Sequence, residues 1–565
     1  MSEYGPQIPV CDDIHSKKYR LTNESFEEAK SREAAAMADD DEHRRAYKKI
    51  ILPMRFMAAG RVQSAMGSPR DVTALNCFVC KTIEDSLASI MQSADYAAET
   101  MRRGGGIGYD FSRIRPNGDR IVSLDSYASG PVSFMQIHDA VCHTILSAGL
   151  RRGAMMAVLR VDHPDIEEFI RAKMNDNQLT NFNISVGVTD EFMEAVVKGT
   201  DFELKFEGVV HRKIDARMLW DEIMRNNWDW AEPGVLFLDR INEENNLNYC
   251  ETIEATNPCG EQPLPPNGAC LLGSYNLVQY TYLTEDRDSY IFDWDLFKED
   301  IPHVVRAMDN VIDNTSYPLR EQELEQKRKR RIGLGITGLS NTLTMLGIKY
   351  GSSEALRFIR RIMKTLRDGC YNASADLAAE KGAFPFFKLN YLDSPFIQRL
   401  PEEIQEKIKK NGIRNSHLIS IAPTGTISFT ADNISSGIEP VFAVEVDRTI
   451  LSEDGPIVIR VQDYVYQKYG LVGEASHNLT IDEHLDTQIA VQPFVDSAVS
   501  KTINVGDEVT FDEFKDIYIK GWRGGLKGVT TFRSAGKRYG ILNTVEAQTG
   551  TACFINPTTG SKECD

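Results

Sequence analysis

Ala255-Thr-Asn257-Pro-Cys259-Gly-Glu261-Gln-Pro-Leu-Pro-Pro-Asn-Gly-Ala-Cys270-Leu-Leu-Gly-Ser-Tyr-Asn-Leu277 places an amide, a thiol and a carboxylate at alternate positions, with a second thiol eleven residues after the first. In extended backbone, side chains at i, i+2 and i+4 point the same way, so Asn257, Cys259 and Glu261 can face one ligand. Pro258 and Gly260 between them argue against a central paired strand and for a rigid loop pushed into a cavity. A carboxylate disfavours ionisation of a neighbouring thiol, which makes that thiol a poor two-electron nucleophile. The arrangement suits a thiol that gives and takes hydrogen atoms. On the residues of this stretch alone, a Pro-rich surface loop with a chance cysteine and half of a metal site remain open.

The rest of the chain narrows the choice. At 565 residues, with 42% hydrophobic and 26% charged residues, it has the apolar mass for a large core. Length by itself suggests several domains, large barrels being the usual exception. A net charge of −18 opposes long-range attraction to nucleic acid. The one basic run, Lys327-Arg-Lys-Arg-Arg331, leads straight into apolar Ile332-Gly-Leu-Gly-Ile336 and reads as a solvated helix face before a buried strand. No run of about 18 apolar residues is present to span a membrane, and the opening Met-Ser-Glu-Tyr-Gly-Pro lacks the features of a signal peptide. A cytoplasmic protein is expected. Its ten cysteines form no secreted disulfide framework, and no second C-x2-C accompanies Cys77 and Cys80 to complete a zinc site.

Periodicity gives helices alternating with short buried strands. Ser86 opens a helix with Leu87, Ile90, Met91, Ala94, Ala98 and Met101 on its apolar face, stopped at Gly104. Ser352 opens another, with Leu356, Ile359, Met363 and Leu366 on one side. Met155–Leu159, Ile332–Ile336 and Leu418–Ala422 read as strands, and no linker divides the α/β body. Residues 1–50 read as a small helical N-terminal cap, 51–545 as the main body and 546–565 as a mobile tail.

The Asn257–Cys259–Glu261 stretch, together with Cys270, closely resembles the finger loop of ribonucleotide reductase catalytic subunits. Further similarity lies in Asn76-Cys77 followed by Asp85-Ser86-Leu87, Arg331–Leu339, Asp309–Asp313 with Tyr317-Pro-Leu, Ile421–Ser428 running into Ser435–Phe442, and Ala498–Asn504, so that it covers roughly residues 50 to 540. The resemblance implies a ten-stranded α/β barrel with a central finger loop. It implies a thiyl radical at Cys259, Glu261 as base on the 3′ hydroxyl, Asn257 holding substrate, and Cys77 with Cys270 as the reducing pair. Two thiols are needed because replacing the 2′ hydroxyl by hydrogen consumes two electrons, supplied by closing a disulfide. Cys80 is a bystander in this reading.

By the same resemblance, Thr424, Gly425, Thr426 and Ser428 bind the substrate phosphates, a role that a Gly/Thr turn opening a helix also suits physically. Asp85 contacts the ribose of a deoxynucleoside triphosphate effector, and Arg151 lies on the loop between effector and substrate. Ser129–Asp139 matches a helix at the subunit interface of dimeric relatives, which implies a homodimer. The stretch Lys527–Arg538 lacks the adjacent tyrosines of members with a separate radical subunit, and no glycyl-radical motif is found near the C-terminus. The chain is therefore most similar to the adenosylcobalamin-dependent type, with no metal site. The alternatives are a subunit needing a separate radical generator and an inactive nucleotide-binding relative. A thioredoxin- or glutaredoxin-type reductant is implied, with Cys553 and Cys564 as candidate tail thiols. The short N-terminal region implies no regulatory nucleotide-binding cone. Neither membrane nor nucleic acid is an expected partner.

Overall fold

The computed structural model describes residues 4–145, 153–174, 178–286, 289–452, 455–533, 542–544, 553–555 and 562–564, the last three segments, 449–452 and 455–457 as backbone only. At its centre lies a ten-stranded sheet, of which nine strands are staves of a barrel and the tenth, Phe56–Ala58, pairs antiparallel with the end of Ala269–Asn276. Cys77–Val79, Gly106–Asp110, Met155–Arg160, Phe182–Val188 and Gly234–Phe237 run parallel in that spatial order. On one side Gly234–Phe237 pairs antiparallel with Gly528–Arg533, whose parallel neighbour is Thr502–Val505. On the other side Cys77–Val79 pairs antiparallel with Ala269–Asn276, whose parallel neighbour is Ile332–Thr337.

Residues 418–421 close the ring. They bridge Leu334 to Ile419 and Ile421 to Val499, both parallel, through hydrogen bonds such as Leu334 N to Leu418 O at 2.8 Å and Ser500 N to Ile421 O at 2.9 Å. The barrel thus consists of two five-stave parallel halves joined antiparallel at both seams. The expected strand at Leu418–Ala422 is present only as these bridges, one to each neighbour. Full closure leaves no exposed sheet edge in this ring.

Strand periodicity assigns the two faces. Ile332, Leu334 and Ile336 point outward into the helical layer and are fully buried there, each such side chain contributing roughly 1.5–3 kcal/mol by leaving water. Gly333 and Gly335 alternate with them and point inward. A Cβ at Gly333 would stand 2.7 Å from Gln262 Nε2, so the missing side chain makes room for the loop inside the barrel.

Outside the ring, helix Ser353–Lys381 begins as expected, Ser352 accepting from Ala355 N. Helices Pro9–Tyr19, Phe26–Met37 and Asp41–Ile51 form the N-terminal segment, the second opened by a capping box of Ser25 and Glu28. Their Ala34, Met37, Tyr47, Ile50 and Ile51 pack in the same cluster as the barrel helices.

Two expectations are corrected. Helix Leu87–Arg102 is capped by Ser86, but Leu87 and Met91 are exposed, and Ile90, Ala94, Ala97 and Met101 form the buried face. The helix is covered on a narrower stripe than its apolar residues allow. The basic run before the Ile332 strand is not solvated throughout: Lys329, Arg330 and Arg331 are buried. Arg330 Nε bonds Asp309 Oδ1 at 2.8 Å and Arg330 Nη2 bonds Asp313 Oδ2 at 2.8 Å, while Lys329 and Arg331 both reach Glu251. Carboxylates far away in sequence make this burial tolerable.

Candidate active site

Ala255–Thr256 and Pro263–Leu264 form a two-residue antiparallel ladder that carries the loop. Asn257 N donates to Gln262 O at 3.1 Å and Gly260 N to Asn257 O at 3.1 Å, so residues 257–261 turn at the tip instead of remaining extended. Gly260 has φ +79°, a left-handed conformation that glycine adopts without a Cβ penalty. The wall grips the hairpin at several points. Asn183 Nδ2 donates to Pro258 O at 3.1 Å, and Glu261 O accepts from Ser420 Oγ at 3.1 Å and Ala498 N at 3.0 Å. Gly108 lies so close to the loop that a Cβ there would fall 1.8 Å from Thr256 O.

The turn divides the three alternating residues. Asn257 and Glu261 are buried, whereas Cys259 stands exposed at the tip. Asn257 and Glu261 converge instead on Cys77 of the wall: Asn257 Nδ2 donates to Cys77 Sγ at 3.1 Å, and the thiol lies 3.8 Å from Glu261 Oε1. Asn257 Oδ1 accepts from Gln262 N at 3.0 Å, which fixes the orientation of the amide. Cys77 and Cys270 are direct partners across the antiparallel strand pair. Such neighbours project to one side of the sheet, a geometry that lets two sulfurs meet. Cys80 is separate, its thiol directed 3.9 Å from Ser93 O on the helical side.

Burial raises all three groups and keeps the two thiols protonated. Burial pushes the Cys77 thiol well above its ordinary value, and Glu261 raises it further. Burial also pushes Cys270 well up. Glu261 is raised by burial, against hydrogen bonds from Asn257, its own backbone and Cys77, and its Oε2 has no hydrogen-bond partner among the described residues. A carboxyl raised in this way is a stronger base once ionised. The centre can therefore hold thiols as S–H and exchange a proton at Glu261.

The 418–421 stave leads from Ser420 into the Gly/Thr turn. Gly425–Phe429 forms a single short helix, with Thr424 at φ +56° before it. Thr424 Oγ1 is engaged with Thr337 Oγ1 at 2.9 Å and Gly437 N at 2.8 Å, and Ser428 Oγ with Ser436 Oγ at 2.8 Å. These two hydroxyls hold the turn, while Gly425 and Thr426 are its more open residues. Arg448 was not evident from sequence. Its guanidinium lies 4.3 Å from the Phe429 ring centroid and Nη2 is 3.5 Å from Gly425 O. No local spacing signal points to it.

Asp85 does not cap the following helix. It accepts from Arg115 N at 3.1 Å and Arg115 Nε at 2.5 Å, at the edge of a cavity of about 690 Å3 lined also by Arg113, Arg160, His163 and Lys205. Arg151 lies outside the described residues. In the backbone of the C-terminal segment, Cys553 and Cys564 are opposite one another in an antiparallel pair, a relation not evident from their spacing.

A family model described as "Ribonucleotide reductase, barrel domain" matches residues 75–477 and 458–532. The vitamin B12-dependent ribonucleoside-diphosphate reductase of Mycobacterium tuberculosis (strain CDC 1551 / Oshkosh) is 38% identical over 509 residues, covering 85% of this chain and 70% of that protein. The vitamin B12-dependent ribonucleoside-diphosphate reductase of Thermoplasma acidophilum is 36% identical over 505 residues, covering 84% of this chain and 63% of that protein. The vitamin B12-dependent ribonucleotide reductase of Streptomyces clavuligerus is 28% identical over 603 residues, covering 92% and 62%.

Proposed function

Because this chain belongs to the ribonucleotide reductase family, we propose that it reduces ribonucleotides to 2′-deoxyribonucleotides with adenosylcobalamin as radical source. The observation that carries the reading is the convergence of Asn257 and Glu261 on Cys77, with Cys270 opposite Cys77 across the strand pair. The names of the relatives in Mycobacterium tuberculosis and Thermoplasma acidophilum favour the cobalamin-dependent type and a ribonucleoside diphosphate substrate.

Cys259 is exposed at the loop tip whereas Cys77 and Cys270 are buried, so a radical source would meet Cys259 from the tip side. When bound, adenosylcobalamin supplies a carbon-centred radical able to take the hydrogen atom of a thiol. The protein residues do the rest. Cys259 takes the 3′ hydrogen of the ribose and later returns it. Glu261 accepts the 3′ hydroxyl proton, and Asn257 holds the sugar. The 2′ hydroxyl leaves as water, and Cys77 and Cys270 together give up two electrons and two protons as they close a disulfide. Gly425 and Thr426, on a turn held by Thr424 and Ser428, bind the phosphates.

We assign the cavity beside Asp85 to a deoxynucleoside triphosphate effector, with Arg151 relaying its identity. A dithiol protein of thioredoxin or glutaredoxin type restores the Cys77–Cys270 pair, with Cys553 and Cys564 as intermediaries. Their cross-strand register supports that pairing. No helix among the described residues is long and apolar enough to cross a membrane, and we place the enzyme in the cytosol as a homodimer.

The test is reduction of ribonucleoside diphosphates by the full chain with a small dithiol, with and without adenosylcobalamin. Deoxyribonucleotide formation that requires the cobalamin and vanishes in Cys259→Ser is expected. Cobalamin-independent turnover, or undiminished activity in Cys259→Ser, overturns the reading.

A further inference from the structure

The two reducing thiols have different charged neighbours. Cys77 faces the Glu261 carboxyl at 3.8 Å. Cys270 has a different neighbour. The parallel register pairs Leu271 with Ile332 and Leu272 with Gly333, and one step back along both strands sets Arg331 beside Cys270. Gly333 faces the loop inside the barrel, so by alternation Arg331 lies on that inner face as well. Arg331 is 2% exposed. Its Nη2 is bound by Glu251 and its Nη1 lies 3.5 Å from Glu325 Oε1. Its Nε, fully buried, has no hydrogen-bond partner among the described residues. A buried guanidinium N–H left without an acceptor is costly. An anion formed at Cys270 would relieve that cost.

We infer that Arg331 is a positioning residue for regeneration of the enzyme, making Cys270 the leaving sulfur and Cys77 the sulfur attacked when the Cys77–Cys270 disulfide is reduced. This rests on the proposed reductase chemistry. An incoming thiolate forms a bond to Cys77 Sγ as the Cys77–Cys270 S–S bond breaks, and Cys270 departs with the electron pair as a thiolate beside Arg331. The second thiol of the same dithiol then displaces Cys77. The reductant ends as a disulfide, and both protein sulfurs are reduced and take up protons. The rate of such exchange rises as the leaving thiol becomes more acidic. Besides burial, which raises both thiols, the largest charge influence on Cys270 is Arg331, which lowers it against Asp496 and Glu261, whereas on Cys77 it is Glu261, which raises it. Lys329 shares Glu251 with Arg331, and Lys527, whose Nζ donates to the Asp496 backbone carbonyl at 2.6 Å, lies near enough to the Asp496 carboxyl to lower it, so two of the surrounding acids have a cation of their own nearby.

The full chain is oxidised by substrate turnover without reductant or, where turnover fails, by diamide. It is then treated with glutathione, quenched with N-ethylmaleimide and mapped by peptide mass. In wild type, glutathione on Cys77 with maleimide on Cys270 should exceed the reverse pattern severalfold, because the sulfur beside Arg331 is the better leaving group. Arg331→Gln should bring the two patterns toward equality, and Arg331→Lys should restore the bias. The ratio is read only on protein that elutes as the folded species in size exclusion, because an unfolded fraction would itself move it toward equality. Where Arg331→Gln yields no folded protein, the wild-type and Arg331→Lys ratios decide. An excess of glutathione on Cys270 in wild type, an unchanged ratio in Arg331→Gln, or no Cys77–Cys270 disulfide under either oxidant overturns the assignment. Absence of turnover alongside the expected ratio after diamide counts against the reductase reading alone.

Discussion

Cys77 and Cys270 are direct register partners across the antiparallel seam between the two halves of the barrel. The reducing pair is thus built into the wall, and closing it into a disulfide requires side-chain rotation within one ladder step. We predict that Cys77→Ser and Cys270→Ser each permit nucleotide binding but abolish multiple turnover. Deoxyribonucleotide formed per chain in the presence of excess dithiol is the measurement. Sustained turnover in either variant removes that residue from the pair.

Glu261 has a folded pKa raised by burial. For this acid the folded state holds its proton more tightly than the unfolded chain does, so its contribution to stability is fully present below the unfolded pKa and is lost as pH rises through the folded value. Glu261→Gln should remove that loss, so the stability of wild type relative to the variant falls with rising pH across this window. Turnover should fall roughly 10²–10⁴-fold, the typical contribution of a positioned base. Denaturant titrations of both proteins at several pH values check the first statement and initial rates the second.

Gly108 and Gly260 hold the loop for different reasons, and alanine separates them. At Gly108 a Cβ meets Thr256 backbone 1.8 Å away, so Gly108→Ala should cost at least the upper end of the roughly 1–3 kcal/mol typical of overpacking and displace the hairpin. At Gly260 a Cβ meets nothing within 4 Å, leaving only the left-handed backbone, a cost of roughly 1–2 kcal/mol. Chemical unfolding midpoints should rank the variants in that order.

Asp309 is fully buried between Arg330, Arg414 and Asn415. Its replacement by Ala leaves two guanidinium groups short of their shared carboxylate. We expect a loss of about 3–5 kcal/mol, as for breaking a buried ion pair by removing one partner. A change below 1 kcal/mol, on the order of an exposed pair, would show that solvent reaches this cluster.

Asp85 is tied to Arg115 by two hydrogen bonds at the rim of the proposed effector cavity. Asp85→Ala should weaken deoxynucleoside triphosphate binding in calorimetry. Arg151→Ala should instead flatten the effector-dependent choice among substrate bases, a coupling of roughly 1–3 kcal/mol, more than it lowers the best rate. Unchanged preference in Arg151→Ala would sink the loop assignment.

Much of this was legible locally. Ser86 and Ser352 announce their helices because capping involves residues only three apart. The strand beginning at Ile332 is legible because buried parallel strands are apolar and short. The orientation within the finger loop was less so. Alternation placed Asn257, Cys259 and Glu261 on one side, but the turn at Gly260 leaves Cys259 exposed while Asn257 and Glu261 are buried.

The sequence by itself determined the chemistry available: an amide, a thiol and a carboxylate within five residues, a second thiol following and a third far upstream, in the order shared with the reductase family. Only the tertiary structure decided which groups act on which. Cys77 meets Asn257 across 180 residues and Glu261 across 184, and Arg331 reaches the side of Cys270 through strand register. Side-chain alternation along one strand tells which face a residue occupies, but not which strand lies next to it or at what offset. Those are set by closure of the barrel, where contacts remote in sequence must all be satisfied together.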